Sequence, residues 1–167
     1  VGGHPMTGSE KTGYANSDSS YLKDAYYILT PTNETPKEYT LWLKNFIISA
    51  GSHCEIIDYE THDKITAAIS HCPHLISASL INTVANEDSD GSYARLAAGG
   101  LKDITRISSS SPEMWQNICL SNPDAITSFL DKYIGTLTDA KNAVSNRDED
   151  KLMKIFENAK KYRDNLN

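Results

Sequence analysis

From residue 62 to residue 86, apolar side chains recur at three- and four-residue spacing: Ile65, Ala68, Ile69, Cys72, Leu75, Ile76, Leu80 and Val84. That period belongs to a helix with a wide apolar face. At 1.5 Å per residue, a helix of about 25 residues is roughly 37 Å long. A chain of 167 residues has little else with which to cover such a face, and a closed two-fold dimer is the commonest solution. The pattern predicts a helical region organised around this one element and completed by a second copy of the chain. Pro73 lies inside the repeat. It has no N–H to donate and clashes with the preceding turn, so a kink is expected there.

Before residue 61 the pattern is different. Val1-Gly2-Gly3-His4-Pro5 reads as the end of a strand entering a loop, and Tyr26-Tyr27-Ile28-Leu29 as a short strand ended by Thr30-Pro31. Thr35-Pro36-Lys37-Glu38 has the form of a capping box with proline at the first helical position, opening a helix to about Ala50 that Gly51 stops. Cys54–Asp58 reads as another strand. Strand, helix and strand in this order suggest the closing portion of an α/β domain, whose earlier part would precede Val1. Beyond the long helix, Ser111-Pro112-Glu113 and Asn122-Pro123-Asp124 are cap-then-proline helix starts, Gly135 is a stop, and the last helix spans about 149–165. The expected fold is mainly α, with a boundary near residue 60.

Composition removes some functions. A formal charge of −6 argues against nucleic acid, whose phosphates need a clustered basic surface. Cys54, Cys72 and Cys119 show neither zinc-ligand nor redox-pair spacing, which suits reduced thiols in a cytoplasmic protein. No apolar run approaches the ~20 residues that span a bilayer. No Gly-x-Gly-x-x-Gly occurs, so the chain has no visible means of gripping a dinucleotide by itself.

Four clusters carry potential chemistry. His4-Pro5-Met6 follows a strand, where α/β folds place ligands, although on these residues alone a solvated loop histidine explains it slightly better. Ser70-His71-Cys72-Pro73-His74 sets two histidines on one helical face. Substrate contact or core packing suits them better than a metal, since no third ligand stands at helical spacing. Gly99-Gly100-Leu101-Lys102-Asp103-Ile104-Thr105-Arg106 joins a pair of turn-forming glycines to a guanidinium fork suited to a carboxylate, with Asp103 placed to steady it. The plainer alternative is a loop with a surface ion pair. Ser111-Pro112-Glu113-Met114-Trp115 is sufficiently explained as a capped helix with a core tryptophan.

Taken together, these stretches resemble the prephenate dehydrogenase family. The matching segments are residues 3–13 (Gly3-His4-Pro5-Met6-Thr7-Gly8-Ser9-Glu10 onward), Ile28-Leu29-Thr30-Pro31, His62-Asp63 with residues 70–74, Ala98 to Arg106, and Ser111 to Trp115, all in the family's order. The resemblance implies that residues 1–60 are the C-terminal part of a Rossmann-type NAD-binding domain and residues 61–167 an all-helical dimerisation and substrate domain. It implies oxidative decarboxylation of prephenate, with NAD (or NADP) as cofactor. His4 would be catalytic, Arg106, His74, Ser9 and Gly100 would bind substrate, and Glu10, Lys102 and Asp103 would form a gating ionic network. The expected partners are prephenate or arogenate and a second copy of the chain, without nucleic acid or membrane. Arogenate dehydrogenase, or a helical module without catalysis, are the alternatives.

Overall fold

The short aromatic and β-branched run around Ile28 becomes the middle strand of a three-stranded sheet. In the computed structural model, which describes residues 1–8 and 13–166, β2 (Tyr26–Thr30) lies between β1 (Gly2–Pro5) and β3 (His53–Ile56). β1 runs antiparallel to β2, with His4 opposite Ile28, and β3 runs parallel to it. A parallel pair needs a crossover, and α1 (Lys37–Ser49) supplies it. Ile28, Leu29 and Ile47 are buried where sheet and helix meet. Gly3 is required by a close approach: a Cβ there would come within 2.9 Å of the Tyr27 ring. Gly51, at φ +92°, ends α1 in the left-handed region that glycine tolerates.

The capping box expected at Thr35 does not form. Pro36 is the cap residue, without a side-chain cap bond. The Thr35 hydroxyl instead accepts from the Thr32 amide at 3.1 Å, closing the preceding turn. The two arrangements compete for one hydroxyl, and the local turn takes it.

The long apolar repeat is one continuous helical run from Tyr59 to Glu87, in three parts: α2 (Tyr59–Thr66), a π-helical turn (Ala67–His71) and α3 (Cys72–Glu87). The Cys72 amide bonds to the Ala67 carbonyl, five residues back. The break expected at Pro73 therefore appears as a widened turn just before it, which absorbs the missing donor. Thr66, Ala67 and Cys72 are fully buried around that turn.

α4 (Ser92–Leu96), α5 (Gly99–Thr105) and α6 (Pro112–Ser121) follow. Gly99 and Gly100 open α5 rather than making the tight turn expected of them, and neither has positive φ. α7 (Pro123–Ser145) runs through Gly135 without interruption. A single glycine lowers helix stability by only about 1 kcal/mol, and 22 other residues support this helix. The turn comes later, at Arg147 with φ 53°, before Asp148 caps α8 (Glu149–Arg163).

Two compact units result, Val1–Ile126 and Thr127–Asn167. The first holds the sheet, α1 to α6 and nearly all of the buried residues. In the second, Ala143 is buried, while Leu137, Val144, Met153 and Phe156 are more than half exposed. No helix among the described residues is long and apolar enough to cross a membrane. All three cysteines are free thiols.

Candidate active site

His4 closes the edge strand β1, where the Met6 amide donates to the Tyr26 carbonyl at 2.8 Å and holds the strand end in place. His62 lies in the first turn of α2. Asp58 caps that turn by accepting from the Thr61 amide at 2.8 Å and the Thr61 hydroxyl at 2.7 Å. His74 follows Pro73 in the first turn of α3. Arg106 continues from the end of α5 into a 3₁₀ turn, Arg106–Ser109. Trp115 lies in the first turns of α6, below the Ser111 cap.

These elements converge. His4, Met6, Ile69, His74, Arg106 and Trp115 line a single cleft of about 730 Å³, within the size range of small-molecule sites. Its walls are mixed. Ile69, Met114 and the Trp115 ring give apolar surface, Ser109 and Ser110 give hydroxyls, and Arg106 gives a permanent positive charge. Trp115 stacks on His74 with ring centroids 3.5 Å apart and meets His71 edge-on at 6.4 Å. Its indole Nε1 is buried with no hydrogen-bond partner among the described residues, an arrangement that costs roughly 1–3 kcal/mol.

Burial favours the neutral form of the histidines in and beside the cleft. Burial lowers the pKa of His4 below its ordinary 6.5, and the neighbouring His62 lowers it further. His71 is lowered by burial and then by His4 and His62, with Asp63 pulling the other way. His74 is lowered by burial, against a backbone hydrogen bond at Ile107 that raises it. A neutral imidazole accepts a hydrogen bond at one nitrogen. A site with such an acceptor, a guanidinium and an apolar wall can orient an anionic ring compound and take up a hydroxyl proton.

Of the residues expected from sequence, His4, His74 and Arg106 come together in this cleft. Gly100, Lys102 and Asp103 lie on α5 as exposed residues outside its lining. Ser9 and Glu10 lie outside the described residues. The sequence reading missed Trp115 as a wall, gave no chemical role to His62 or Asp63, and took Asn122 only as a helix cap. His62 donates to or accepts from His4, Nε2 to Nδ1, at 2.8 Å, and its own Nδ1 is 2.8 Å from Asp63 Oδ1. Asn122 donates to the Asp63 carbonyl at 2.8 Å. The available signal was a His-Asp pair one turn after a helix cap. Among the described residues, no three His, Cys, Asp or Glu side chains are grouped to hold a metal ion.

Known proteins share this arrangement of chain. The family model of the prephenate dehydrogenase nucleotide-binding domain matches residues 1–56, and that of the prephenate dehydrogenase dimerization domain matches residues 58–158. A prephenate dehydrogenase of Bacillus subtilis is 42% identical over 167 residues, which are 99% of this chain and 45% of that protein. The crystal structure of Aquifex aeolicus prephenate dehydrogenase with hydroxyphenyl propionate and NAD+ superposes with a TM-score of 0.93 at 28% identity, covering 99% of this chain and 58% of that one. Synechocystis arogenate dehydrogenase gives a TM-score of 0.87 at 28% identity, covering 97% and 59%. The chain thus spans about half the length of the proteins it matches. Sheet, long helix and cleft all fall within the two matched segments, and the chain belongs to the prephenate dehydrogenase family.

Proposed function

We propose that these residues form the substrate-binding and dimerisation part of an NAD-dependent prephenate dehydrogenase. On this reading residues 1–60 end the nucleotide-binding domain and residues 61–167 form the helical dimerisation domain. The observation that carries it is the convergence of His4, His74 and Arg106 on one cleft from three separate parts of the chain. The relatives include both prephenate and arogenate dehydrogenases. Prephenate is preferred because the 42% identical relative is a prephenate dehydrogenase.

The chemistry asked of these residues is limited. The substrate carries a ring carboxylate, a side-chain carboxylate and a ring hydroxyl. Arg106 would hold a carboxylate in a two-pronged, charge-assisted contact. The stacked pair His74 and Trp115 would form the wall along the ring and side chain. His4 would accept the hydrogen bond of the hydroxyl and take its proton as the carbinol carbon is oxidised. Loss of the ring carboxylate as carbon dioxide then returns an electron pair to the ring. The proton goes back from His4 to the phenol oxygen, so His4 ends as it began. NAD, when bound, accepts the hydride. These 167 residues contain no Gly-x-Gly-x-x-Gly, and the part proposed for them is to orient the ring and manage one proton.

Self-association follows from the same reading, through the apolar helical faces that stay exposed in one copy, such as Ile65 and Phe156. Joining the chain to the N-terminal segment of the Bacillus subtilis relative tests the function. NADH should form with prephenate and NAD+, and more slowly with arogenate. A joined, folded protein inert on both substrates would refute the reading, and a preference for arogenate would move it to the sister activity.

A further inference from the structure

Behind the cleft, His4 belongs to a chain of three side chains. His4 Nδ1 is 2.8 Å from His62 Nε2, and His62 Nδ1 is 2.8 Å from Asp63 Oδ1. His62 is mostly shielded, with 18% of its side chain exposed. The backbone beneath it is clamped. Thr66 Oγ1 donates to the His62 and Asp63 carbonyls at 3.0 and 3.2 Å, and Asn122 Nδ2 donates to the Asp63 carbonyl. The three groups link the edge strand β1 to the first turn of α2.

The donor directions follow from what each group is able to offer. A carboxylate accepts only, so the proton between His62 and Asp63 belongs to His62 Nδ1. A neutral His62 then has a bare Nε2, which can only accept, so the proton between the two rings belongs to His4 Nδ1. That leaves His4 Nε2, the nitrogen remaining for the cleft, with its lone pair free. In water the other tautomer, with the proton on Nε2, is the commoner form of a neutral histidine. It would present a donor to the substrate hydroxyl where an acceptor is needed.

We propose that His62 and Asp63 are positioning residues that hold His4 in the Nδ1–H tautomer, so that Nε2 is the acceptor facing the substrate. The proposal rests on the reading of His4 as the group that takes the hydroxyl proton. As that proton reaches Nε2, the Nδ1–H of His4 stays in its bond to His62, and the proton on His62 stays directed at Asp63. The developing imidazolium is thus met by an acceptor that a carboxylate orients. Burial lowers the pKa of His4 and so favours its neutral form beforehand. Among the described residues, the other titratable or charged groups around this chain are His71 at the end of the π-helical turn and, along the cleft, His74 and Arg106.

The test reads the protons directly. Long-range ¹H–¹⁵N spectra of the ¹⁵N-histidine-labelled 167-residue chain at pH 7.5 should show His4 and His62 both protonated on Nδ1 and bare on Nε2. In Asp63→Ala, His4 should become a mixture of tautomers. In His62→Gln, whose side-chain carbonyl can still accept, His4 should stay bare at Nε2. In the joined enzyme, Asp63→Ala should lower kcat by about 10–100-fold, the usual scale for partners that orient a reacting group, with KM for prephenate little changed, and His62→Gln should lose less than His62→Leu. A proton on His4 Nε2 in the unaltered chain overturns the proposal, as does a His4 tautomer indifferent to Asp63→Ala. Should Asp63→Ala fail to fold, the unaltered chain and His62→Gln decide alone: a proton on Nε2 in either one overturns it. The spectra stand whether or not the joined protein makes NADH, so this proposal and the enzymatic one fail separately.

Discussion

The two compact units of the chain contrast in what they bury. Val1–Ile126 packs a sheet against helices, shields Leu29, Thr66, Ala67 and Cys72 completely, and carries the cleft. Thr127–Asn167 consists of most of α7 with α8, and leaves Leu137, Val144, Met153, Phe156 and Tyr162 more than half exposed. Apolar surface of this extent is stabilised by about 25 cal/mol for each Å² removed from water. The first unit covers a core of this kind within its own residues while leaving Trp42, Phe46 and Leu120 exposed, and the second, among the described residues, covers little beyond Ala143. The contrast sets a unit that carries the cleft against one whose apolar faces are mostly open, and substitutions in either can break it.

The largest effect should come from His4. In the joined enzyme His4→Asn should lower kcat by roughly 10²–10⁴-fold, the scale of general acid–base groups, with melting temperature little changed. Retention of wild-type turnover would remove His4 from the chemistry.

Arg106→Ala should come next. Arg106 is an exposed residue at the rim of the cleft, so its contact with a carboxylate is partly solvated. The loss in kcat/KM should be about 1.5–3 kcal/mol, typical of hydrogen bonds to charged groups, and should appear chiefly as a raised KM. Lysine should restore little, because a point charge lacks the planar fork. Steady-state kinetics in which Arg106→Ala left KM unchanged and only slowed turnover would show that Arg106 is not the carboxylate anchor.

In the second unit, Phe156→Glu should act on assembly alone. Sedimentation should shift toward the 18.4 kDa monomer, while the histidine spectra of the first unit stay as they were. An unchanged dimer would place the interface elsewhere.

The smallest effect should be on acid stability, and it too should divide the units. His4, His71 and His74 have pKa values below 6.5 in the folded chain. The unfolded chain therefore takes up protons first as pH falls, and stability decreases below about pH 6.5 until the folded-state values are passed. Residues 127–167 contain no histidine. Hydrogen exchange between pH 7.5 and 5.5 should show protection falling in Val1–Ile126 and holding in α8. A uniform loss along the chain would mean that the histidines do not dominate the response.

Much of this organisation follows from local pattern. The run Tyr26–Leu29, the 3.6-residue repeat from 62 to 86, and the proline-led starts of α6 and α7 predict elements that the structure contains, because each depends on neighbours within a turn or a strand. His4 and Arg106 could be singled out by residue type and by family resemblance. Where single residues were asked to decide alone, sequence pattern did less well. Thr35 gave its hydroxyl to a turn, and Gly135 passed through a helix whose other residues outweighed it.

What only the tertiary structure decided is the proximity of groups distant along the chain. His4 and His62 meet because β1 lies on the outer edge of the sheet beside the first turn of α2, a pairing no local period contains. Trp115 looked like a core residue from its helix alone, and stacking on His74 makes it a wall of the cleft. The choice of proton on His4 lies further still from sequence. It depends on two hydrogen bonds in series, each 2.8 Å long, and a donor's direction is set only once its acceptor is in place.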